Sequence, residues 1–197
     1  GSFNDLSVPP TLIAFAINMV NVNKVVSPEF KKENSVGVLI ELPRDKYELP
    51  DFEQLKINYD LVYKLIQEGK VFAAHTVKEG GVAEAISKMC FGNKIGFAFD
   101  KNIKAADLFV PAYGSIILEI SSQEEIESLL KGAKYRILGY TQAERVIAVS
   151  DTCIQLDEAL EKWQEPLEEI FPLKLQVEVT KGKKLGKFNY EGGNIVK

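Results

Sequence analysis

The fold is decided by residues 71–91, VFAAHTVKEGGVAEAISKMCF, which run from an apolar segment through two glycines into an amphipathic segment. Residues 71–77 have the length and apolar content of a buried strand. From Gly81 to Phe91, apolar residues recur at helical spacing on one face: Val82, Ala85, Ile86 and Met89. A strand that leads into such a helix indicates a layered domain, in which helices cover a β-sheet.

Apolar runs and alternating patterns predict further strands on both sides of this junction. The predicted strands are 12–22, 35–42, 95–99, 108–110, 115–120 and 173–179. Two more strands, 136–140 and 145–149, lie close enough in sequence to predict a hairpin. Strands and helices are therefore mixed along the chain.

Three further helices are predicted from their end signals. Asp51 begins one helix and Gly69 ends it. Ser122 and Glu125 form the pattern of a capping box for a helix through Lys131. Asp157 is the predicted cap of the last helix, which carries Leu160 and Trp163 and is interrupted at Pro166. Together these elements predict an α+β domain of the α/β layered kind, with a mixed β-sheet and packed helices.

Composition limits the classes to which the protein can belong. The 197 residues predict one domain, and 46% hydrophobic with 26% charged residues is ordinary for a globular protein. A net charge of −4 argues against a nucleic-acid-binding domain, which usually carries a basic excess. No apolar run approaches the roughly 20 residues of a membrane helix, so no membrane contact is expected.

Cysteine and histidine content predicts no metal site. Cys90 and Cys153 are far apart, no CxxC pair exists, and His75 is the only histidine. Both thiols are interpreted as small buried apolar groups in a reducing, cytoplasmic compartment.

The two ends of the chain differ in character from the rest. Residues 1–2, Gly-Ser, resemble the remnant of a cleaved tag, and the chain is interpreted as a fragment of a longer protein. The domain itself is predicted to span residues 3–180. Residues 181–197 contain many glycines and lysines and are predicted to form a linker. The lysines at 181, 183 and 184 could hold an anion, and a solvated tail is the alternative.

The loop between the predicted strand and helix is the best candidate for a binding site. The first N–H groups of a helix lack internal partners, and the helix dipole adds positive charge there, so an anion such as phosphate can bind. Gly80 and Gly81 let a ligand approach the backbone closely, and Lys78 adds a charge. The alternative is that the glycines only permit a tight turn. His75 is interpreted as a residue that shapes the loop, and no catalytic residue is predicted.

Three stretches in this order resemble one known family: residues 9–30, 75–92 and 108–119. The chain resembles the formylglycinamide ribonucleotide amidotransferases, also called phosphoribosylformylglycinamidine synthases. More narrowly, it is similar to the C-terminal domain of one of their two halves that resemble aminoimidazole ribonucleotide synthetase. The family loop reads His-Asp-x-Ser-Asp-Gly-Gly-Leu. His75, Gly80 and Gly81 match it, whereas Thr76, Lys78 and Glu79 depart from it and Val82 replaces the leucine.

The resemblance implies a role in purine biosynthesis. Enzymes of this family are ligases that use ATP and glutamine to convert formylglycinamide ribonucleotide into formylglycinamidine ribonucleotide. Their glycine loop faces the substrate phosphate, which implies phosphate binding at Lys78, Gly80, Gly81 and Val82. The nucleotide with Mg²⁺ and the ammonia would come from partner domains, an ATP-binding half and a glutaminase toward which residues 181–197 would lead. The fragment alone is therefore expected to hold no cofactor and to be inactive.

Other interpretations stay open. The same superfamily includes selenophosphate synthetase, thiamine-phosphate kinase and a hydrogenase maturation protein, although residues 9–30 favour the amidotransferase. Alternatively, the chain could be a non-catalytic scaffold half of the amidotransferase. Which of the two similar halves it represents, and its oligomeric state, are left undecided. An exposed apolar patch could make such a fragment self-associate.

Overall fold

The structure is a computed structural model that describes residues 1–7 and 9–172. Its strands are β1 (Ser2–Phe3), β2 (Leu6–Ser7), β3 (Ser35–Ile40), β4 (Val71–Thr76), β5 (Gly96–Phe99), β6 (Ile116–Ser121), β7 (Tyr135–Gln142), β8 (Val146–Val149) and β9 (Thr152–Gln155). Its α-helices are α1 (Phe52–Gln67), α2 (Gly81–Phe91), α3 (Ile126–Leu129) and α4 (Leu156–Gln164). The predicted strand 173–179 and the predicted linker 181–197 lie outside the described residues.

Seven strands form one mixed sheet in the order β4-β6-β3-β7-β5-β8-β9. All neighbours are antiparallel except β5 and β8, which are parallel. Among the described residues, the strands β1 and β2 pair only with each other. The predicted fold class, a mixed β-sheet with packed helices, is confirmed.

Helices cover both faces of this sheet, because its central strands are apolar on both sides. All six residues of β3 are buried, as in a strand that is covered on both faces. On one face, Val38 and its neighbours pack with α1 and α3. On the other face, Leu39 packs with α2, which contributes Ile86 and Met89 to the same cluster. The loop between β4 and α2, which the sequence predicts as a binding site, therefore joins two elements that both contribute side chains to the core.

Two strand predictions are wrong. Residues 12–21 belong to no strand, and their large side chains are exposed. They are apolar on both sides, so a strand here would need cover on both faces, and the described part of the chain provides none. Residues 108–110 are not a strand either, since a 3₁₀ helix covers Ala105–Phe109.

The predicted hairpin is also wrong, because β5 lies between β7 and β8. Gly139 in β7 has no side chain, and a Cβ there would lie 2.0 Å from the carbonyl oxygen of Ala98 in β5. This close backbone approach is possible only with glycine. It inserts β5 into the sheet and buries Phe97, which stacks on Phe30 at 5.4 Å.

The end signals read from the sequence are confirmed for α1 and are wrong at the starts of α3 and α4. Asp51 caps α1, and Gly69 follows its end with φ of +72°. The predicted capping box at Ser122 and Glu125 is wrong: α3 starts at Ile126 and no side chain caps it. Asp157 lies inside α4 and pairs instead with Lys94 at 2.8 Å, so its carboxylate is used in an ion pair between distant parts of the chain.

The interpretation of the cysteines holds for only one thiol. Cys90 is buried in α2, and burial raises its pKa to about 12. Cys153 lies in the edge strand β9 and is exposed, since one side of an edge strand has no neighbour to cover it.

The cap of α1 gives a first testable prediction. The Asp51 side chain accepts a hydrogen bond from the Gln54 N–H at 3.0 Å. We expect Asp51→Ala to lower the free energy of unfolding by about 1 kcal/mol, as loss of an N-cap does. Urea unfolding followed by circular dichroism measures this. Asp60→Ala, at an exposed position in the same helix, is the matched control, and an equal loss in both variants would contradict the capping role.

Candidate functional site

The loop 77–80 joins β4 to α2 and is held by backbone hydrogen bonds on both sides. The Val77 N–H donates to the Ser115 carbonyl at 2.9 Å, which continues the sheet edge. The Lys78 carbonyl accepts from Gly81 at 3.2 Å and from Ala112 at 3.4 Å. The loop conformation is therefore set by backbone contacts with residues 112–115.

Gly81 allows a close approach between the loop and the segment that follows the 3₁₀ helix. Its φ is +69°, a left-handed conformation that favours glycine. A Cβ at this position would lie 2.4 Å from the Leu108 carbonyl oxygen and 2.8 Å from that of Val110. The glycine is thus required by packing, which is the alternative that the sequence left open.

Glu84 caps the beginning of α2 from within the helix. The Gly80 N–H donates to its Oε2 at 3.0 Å, and the Lys88 ammonium donates to its other oxygen. The hydrogen bond from Lys88 is the main reason why the pKa of Glu84 lies below its usual range. A carboxylate of the chain itself therefore accepts the N–H of Gly80, which the sequence assigns to phosphate.

The other residues predicted at the site differ in their surroundings. Lys78 and Glu79 are exposed, and within the described residues neither side chain has a hydrogen bond or an ion pair. Val82 is buried and lines a cleft of about 210 Å³. That cleft also contains Lys134 and the ion pair of Arg136 with Glu41 at 3.1 Å.

His75 lies on β4, one strand residue before the loop begins. Its Nδ1 is 2.7 Å from the Thr76 carbonyl oxygen. The ring also lines a groove on the outer edge of β4, and it lies within electrostatic reach of Glu84 at the start of α2. Among the described residues, the hydrogen bond of the His75 ring is to Thr76 and not to Lys78 or Gly80, and its loop-shaping role remains a prediction.

An apolar groove of about 430 Å³ opens beside the loop, between α2 and α4. Gly80, Phe91, Phe109 and Trp163 are among its lining residues. The rings of Phe91 and Trp163 are 5.8 Å apart. Sequence reasoning missed this groove, because the contact depends on how two helices pack.

Glu119 and Glu84 are the two carboxylates that sequence reasoning overlooked. Glu119 in β6 is fully buried and accepts the N–H groups of Lys31 at 2.8 Å and Lys32 at 2.9 Å. The sequence signal for Glu119 was an acidic residue inside the apolar run 115–120. The signal for Glu84 was an acidic residue in the first turn of a predicted helix.

The described part of the chain contains neither a cluster for a metal ion nor a membrane-spanning helix. No three or more His, Cys, Asp or Glu side chains in it are placed to hold a metal ion. None of its helices is long and apolar enough to span a bilayer.

Comparison with known proteins identifies relatives of the chain. No family profile matches the chain. It is 33% identical over 157 residues to the phosphoribosylformylglycinamidine synthase subunit PurL of Picrophilus torridus. That match covers 70% of this chain but only 20% of the relative, so the chain spans about a fifth of the relative's length.

Solved structures of PurL from Thermotoga maritima share the fold. The complex with AMPPCP matches with a TM-score of 0.59 at 18% identity and covers 83% of this chain and 30% of that one. The complex with FGAR matches with a TM-score of 0.58 at 15% identity, covering 70% and 29%. In sequence and in fold, the chain is therefore related to part of the PurL subunit of phosphoribosylformylglycinamidine synthase, as the three stretches of sequence predicted.

Proposed function

We propose that the chain serves as a domain of a phosphoribosylformylglycinamidine synthase, a ligase of purine biosynthesis. The observation that carries this is the 33% identity to PurL over 157 residues. The full enzyme would convert formylglycinamide ribonucleotide, ATP and glutamine into formylglycinamidine ribonucleotide in the cytoplasm. The Thermotoga maritima structures, complexed with FGAR and with AMPPCP, support a ribonucleotide substrate and a nucleotide.

Within that enzyme, the loop before α2 would form one wall of the ribonucleotide site. The backbone N–H groups from Gly80 to Val82 would face the phosphate, and Lys78 would add a positive charge. Support comes from the 11-residue helix that begins at Gly81 and from the exposed, unpaired ammonium of Lys78 among the described residues. ATP with Mg²⁺ and ammonia would come from other domains, so turnover is expected only from the full-length enzyme.

Phosphate binding at this loop requires that the N–H of Gly81 leave the Lys78 carbonyl oxygen, to which it donates at 3.2 Å, and that Glu84 leave the N–H of Gly80. Its carboxylate would have to rotate away and keep only its contact with Lys88, since two anions would not share one N–H group. The exchange replaces one charge-assisted hydrogen bond by another. Glu84 would then act as a gate whose removal strengthens anion binding.

A scaffold role is the second candidate. Two observations favour it: Glu84 caps the helix, and the carbonyl oxygens of residues 108 and 110 lie against Gly81. In this case the loop would be complete without a ligand. The domain would then contribute interfaces and no substrate contacts.

Amide NMR shifts of residues 80–83 separate the two candidates. With the substrate role, titration with the ribonucleotide or with inorganic phosphate shifts these amides and saturates. We expect Glu84→Gln to tighten binding about fivefold, because a competing anion is lost, and Lys78→Ala to weaken it about fivefold. Lys101→Ala, an exposed lysine elsewhere, should change nothing. Unshifted amides in both the wild type and Glu84→Gln would contradict the substrate role and favour the scaffold.

A further inference from the structure

Three neighbouring strands place charged and polar side chains at one end of the large sheet. Leu39 in β3 lies opposite Arg136 in β7. The next pair along is Glu41 with Lys134, and the Glu41 N–H donates to the Lys134 carbonyl at 2.8 Å. Ser115 lies beside Glu41 on the other side of β3, just before β6 begins. Side chains two residues apart, and those opposite each other in a pair, share a face, so these polar residues lie on the face that α2 covers.

A cleft of about 210 Å³ opens where this face meets the first turn of α2, and we call it the Arg136 cleft. The charged and hydroxyl side chains in its lining are Glu41, Asp107, Ser115, Lys134 and Arg136. Pockets that enclose a whole small molecule usually have about 300–1,000 Å³. The Arg136 cleft therefore has room for one end of a ligand, such as a phosphate group.

The Arg136 cleft contains two donors that the described part of the chain leaves without acceptors. The Arg136 Nε is out of contact with solvent and makes no hydrogen bond among those residues. It lies 3.1 Å from a Glu41 carboxylate oxygen, so the charges pair, but its N–H does not point to that oxygen. Ser115 is 3% exposed; its oxygen accepts the Leu42 N–H at 3.0 Å, and its own hydrogen has no acceptor in the described ranges. Because an unsatisfied buried donor is costly, a ligand oxygen that accepts from both groups would bind favourably.

The charges of the Arg136 cleft determine the kind of ligand that it accepts. Arg136 neutralises Glu41, whereas the described residues offer the Lys134 ammonium neither an ion pair nor a hydrogen bond. Lys134 therefore adds a positive charge beside the two donors, which favours a phosphate. Asp107 is exposed and also lines the cleft. Its carboxylate repels a free anion but accepts hydrogen bonds from sugar hydroxyls, so the cleft matches a phosphate that is attached to a sugar.

We propose that the Arg136 cleft binds a phosphorylated sugar, with the phosphate inside the cleft and the sugar at its opening. The phosphate accepts hydrogen bonds from Arg136, Lys134 and the Ser115 hydroxyl. The sugar hydroxyls donate to Asp107. This assignment rests on the proposed function, which supplies the ribonucleotide as the source of the sugar phosphate. Val82 belongs both to the cleft and to the first turn of α2, so the cleft and the loop form adjoining walls of one site.

Titration of the isotope-labelled 197-residue chain with ribose 5-phosphate tests this assignment by amide NMR. The amides of Ser115, Lys134 and Arg136 should shift and saturate. Ribose 5-phosphate should bind about tenfold more tightly than inorganic phosphate, because inorganic phosphate has no sugar hydroxyls to donate to Asp107.

Two substitutions at exposed positions separate the phosphate contact from the sugar contact. Lys134→Ala should weaken the binding of both probes about fivefold, because one positive charge is lost. Lys131→Ala, at an exposed position outside the cleft lining, is the matched control and should change neither affinity. Asp107→Asn should reduce the preference for ribose 5-phosphate to about twofold, since the amide has one acceptor oxygen and no charge.

The outcomes distinguish this assignment from the proposed function. Shifts at residues 80–83 without shifts at 115, 134 and 136, or affinities that Lys134→Ala leaves unchanged, would overturn the cleft and leave the proposed function intact. Shifts confined to the cleft would support the cleft and contradict phosphate binding by the loop. No shift at any of these amides would contradict both. Equal affinity of the wild type for the two probes would show an adventitious ion only and overturn the assignment.

Discussion

Replacing Gly81 by alanine is expected to lower the free energy of unfolding by about 3 kcal/mol or more. Two penalties add at this position. The left-handed backbone with φ of +69° disfavours any residue with a Cβ, at about 1–2 kcal/mol. In addition, the Cβ would lie 2.4 Å from the Leu108 carbonyl oxygen, and relieving this contact requires a backbone shift that costs a further 1–3 kcal/mol, roughly.

Gly69→Ala is the matched control for this substitution. Gly69 has nearly the same backbone conformation, with φ of +72°, but nothing lies within 4 Å of its Cβ position. It should therefore show only the first penalty, about 1 kcal/mol. Urea unfolding of both variants measures the difference. Equal losses would show that residues 108–110 do not hold the loop, and would remove the structural reason for Gly81.

Replacing Glu119 by alanine is expected to cost about 3 kcal/mol as well, through a different mechanism. Its carboxylate is fully buried and accepts the backbone N–H groups of Lys31 and Lys32. Alanine leaves both donors without that acceptor and opens a cavity beneath them. Glu119→Gln keeps the volume and one acceptor oxygen, so a smaller loss is expected. Glu33→Ala, at an exposed site nearby, should have almost no effect.

The difference in the free energy of unfolding between the wild type and Glu119→Gln should depend on pH in a defined direction. Burial is the main reason why the pKa of Glu119 is raised above its ordinary value of 4.5. The folded state then binds this proton more tightly than the unfolded state, so the free energy of unfolding falls as pH rises from 4.5 through the raised pKa. Glu119→Gln lacks this group. The stability advantage of the wild type over Glu119→Gln should therefore be greatest at acid pH, and an advantage that grows with pH would contradict the assignment.

Local signals predicted the elements whose ends are set locally. The Asp51 cap and Gly69 bound α1 as expected, and the glycines at 80 and 81 placed α2 correctly. These signals work because a cap or a left-handed residue acts within one turn of the chain. The mixed sheet followed from the alternation of such elements.

Long-range contacts account for the errors. The hairpin between the segments around 136–140 and 145–149 failed because Gly139 admits β5 from a position about 40 residues earlier in the chain. Residues 12–22 were predicted as a buried strand, since their composition fits one, but composition does not identify the strand that would pair with them. The strand β9 was missed because its four residues are exposed and lack an apolar pattern.

At the candidate site, the sequence identified the loop but not the groups that occupy it. Gly80 and Gly81 lie at the start of α2, as the resemblance implied. The cap from Glu84 and the carbonyl oxygens against Gly81 depend on side-chain rotation and on the path of residues 108–110, which no local pattern encodes. The phosphate role thus remains a prediction, whereas the packing role of Gly81 is a property of the fold.

The order of the strands also has a consequence for synthesis of the chain. Among the described residues, β3, β4 and β5 pair only with strands that come later: β3 with β6 and β7, β4 with β6, and β5 with β7 and β8. During translation, three apolar strands therefore leave the ribosome before any of their partners exists. Such non-local pairing folds slowly and exposes edges that aggregate. We expect the nascent chain to depend on chaperones until β7 has been made.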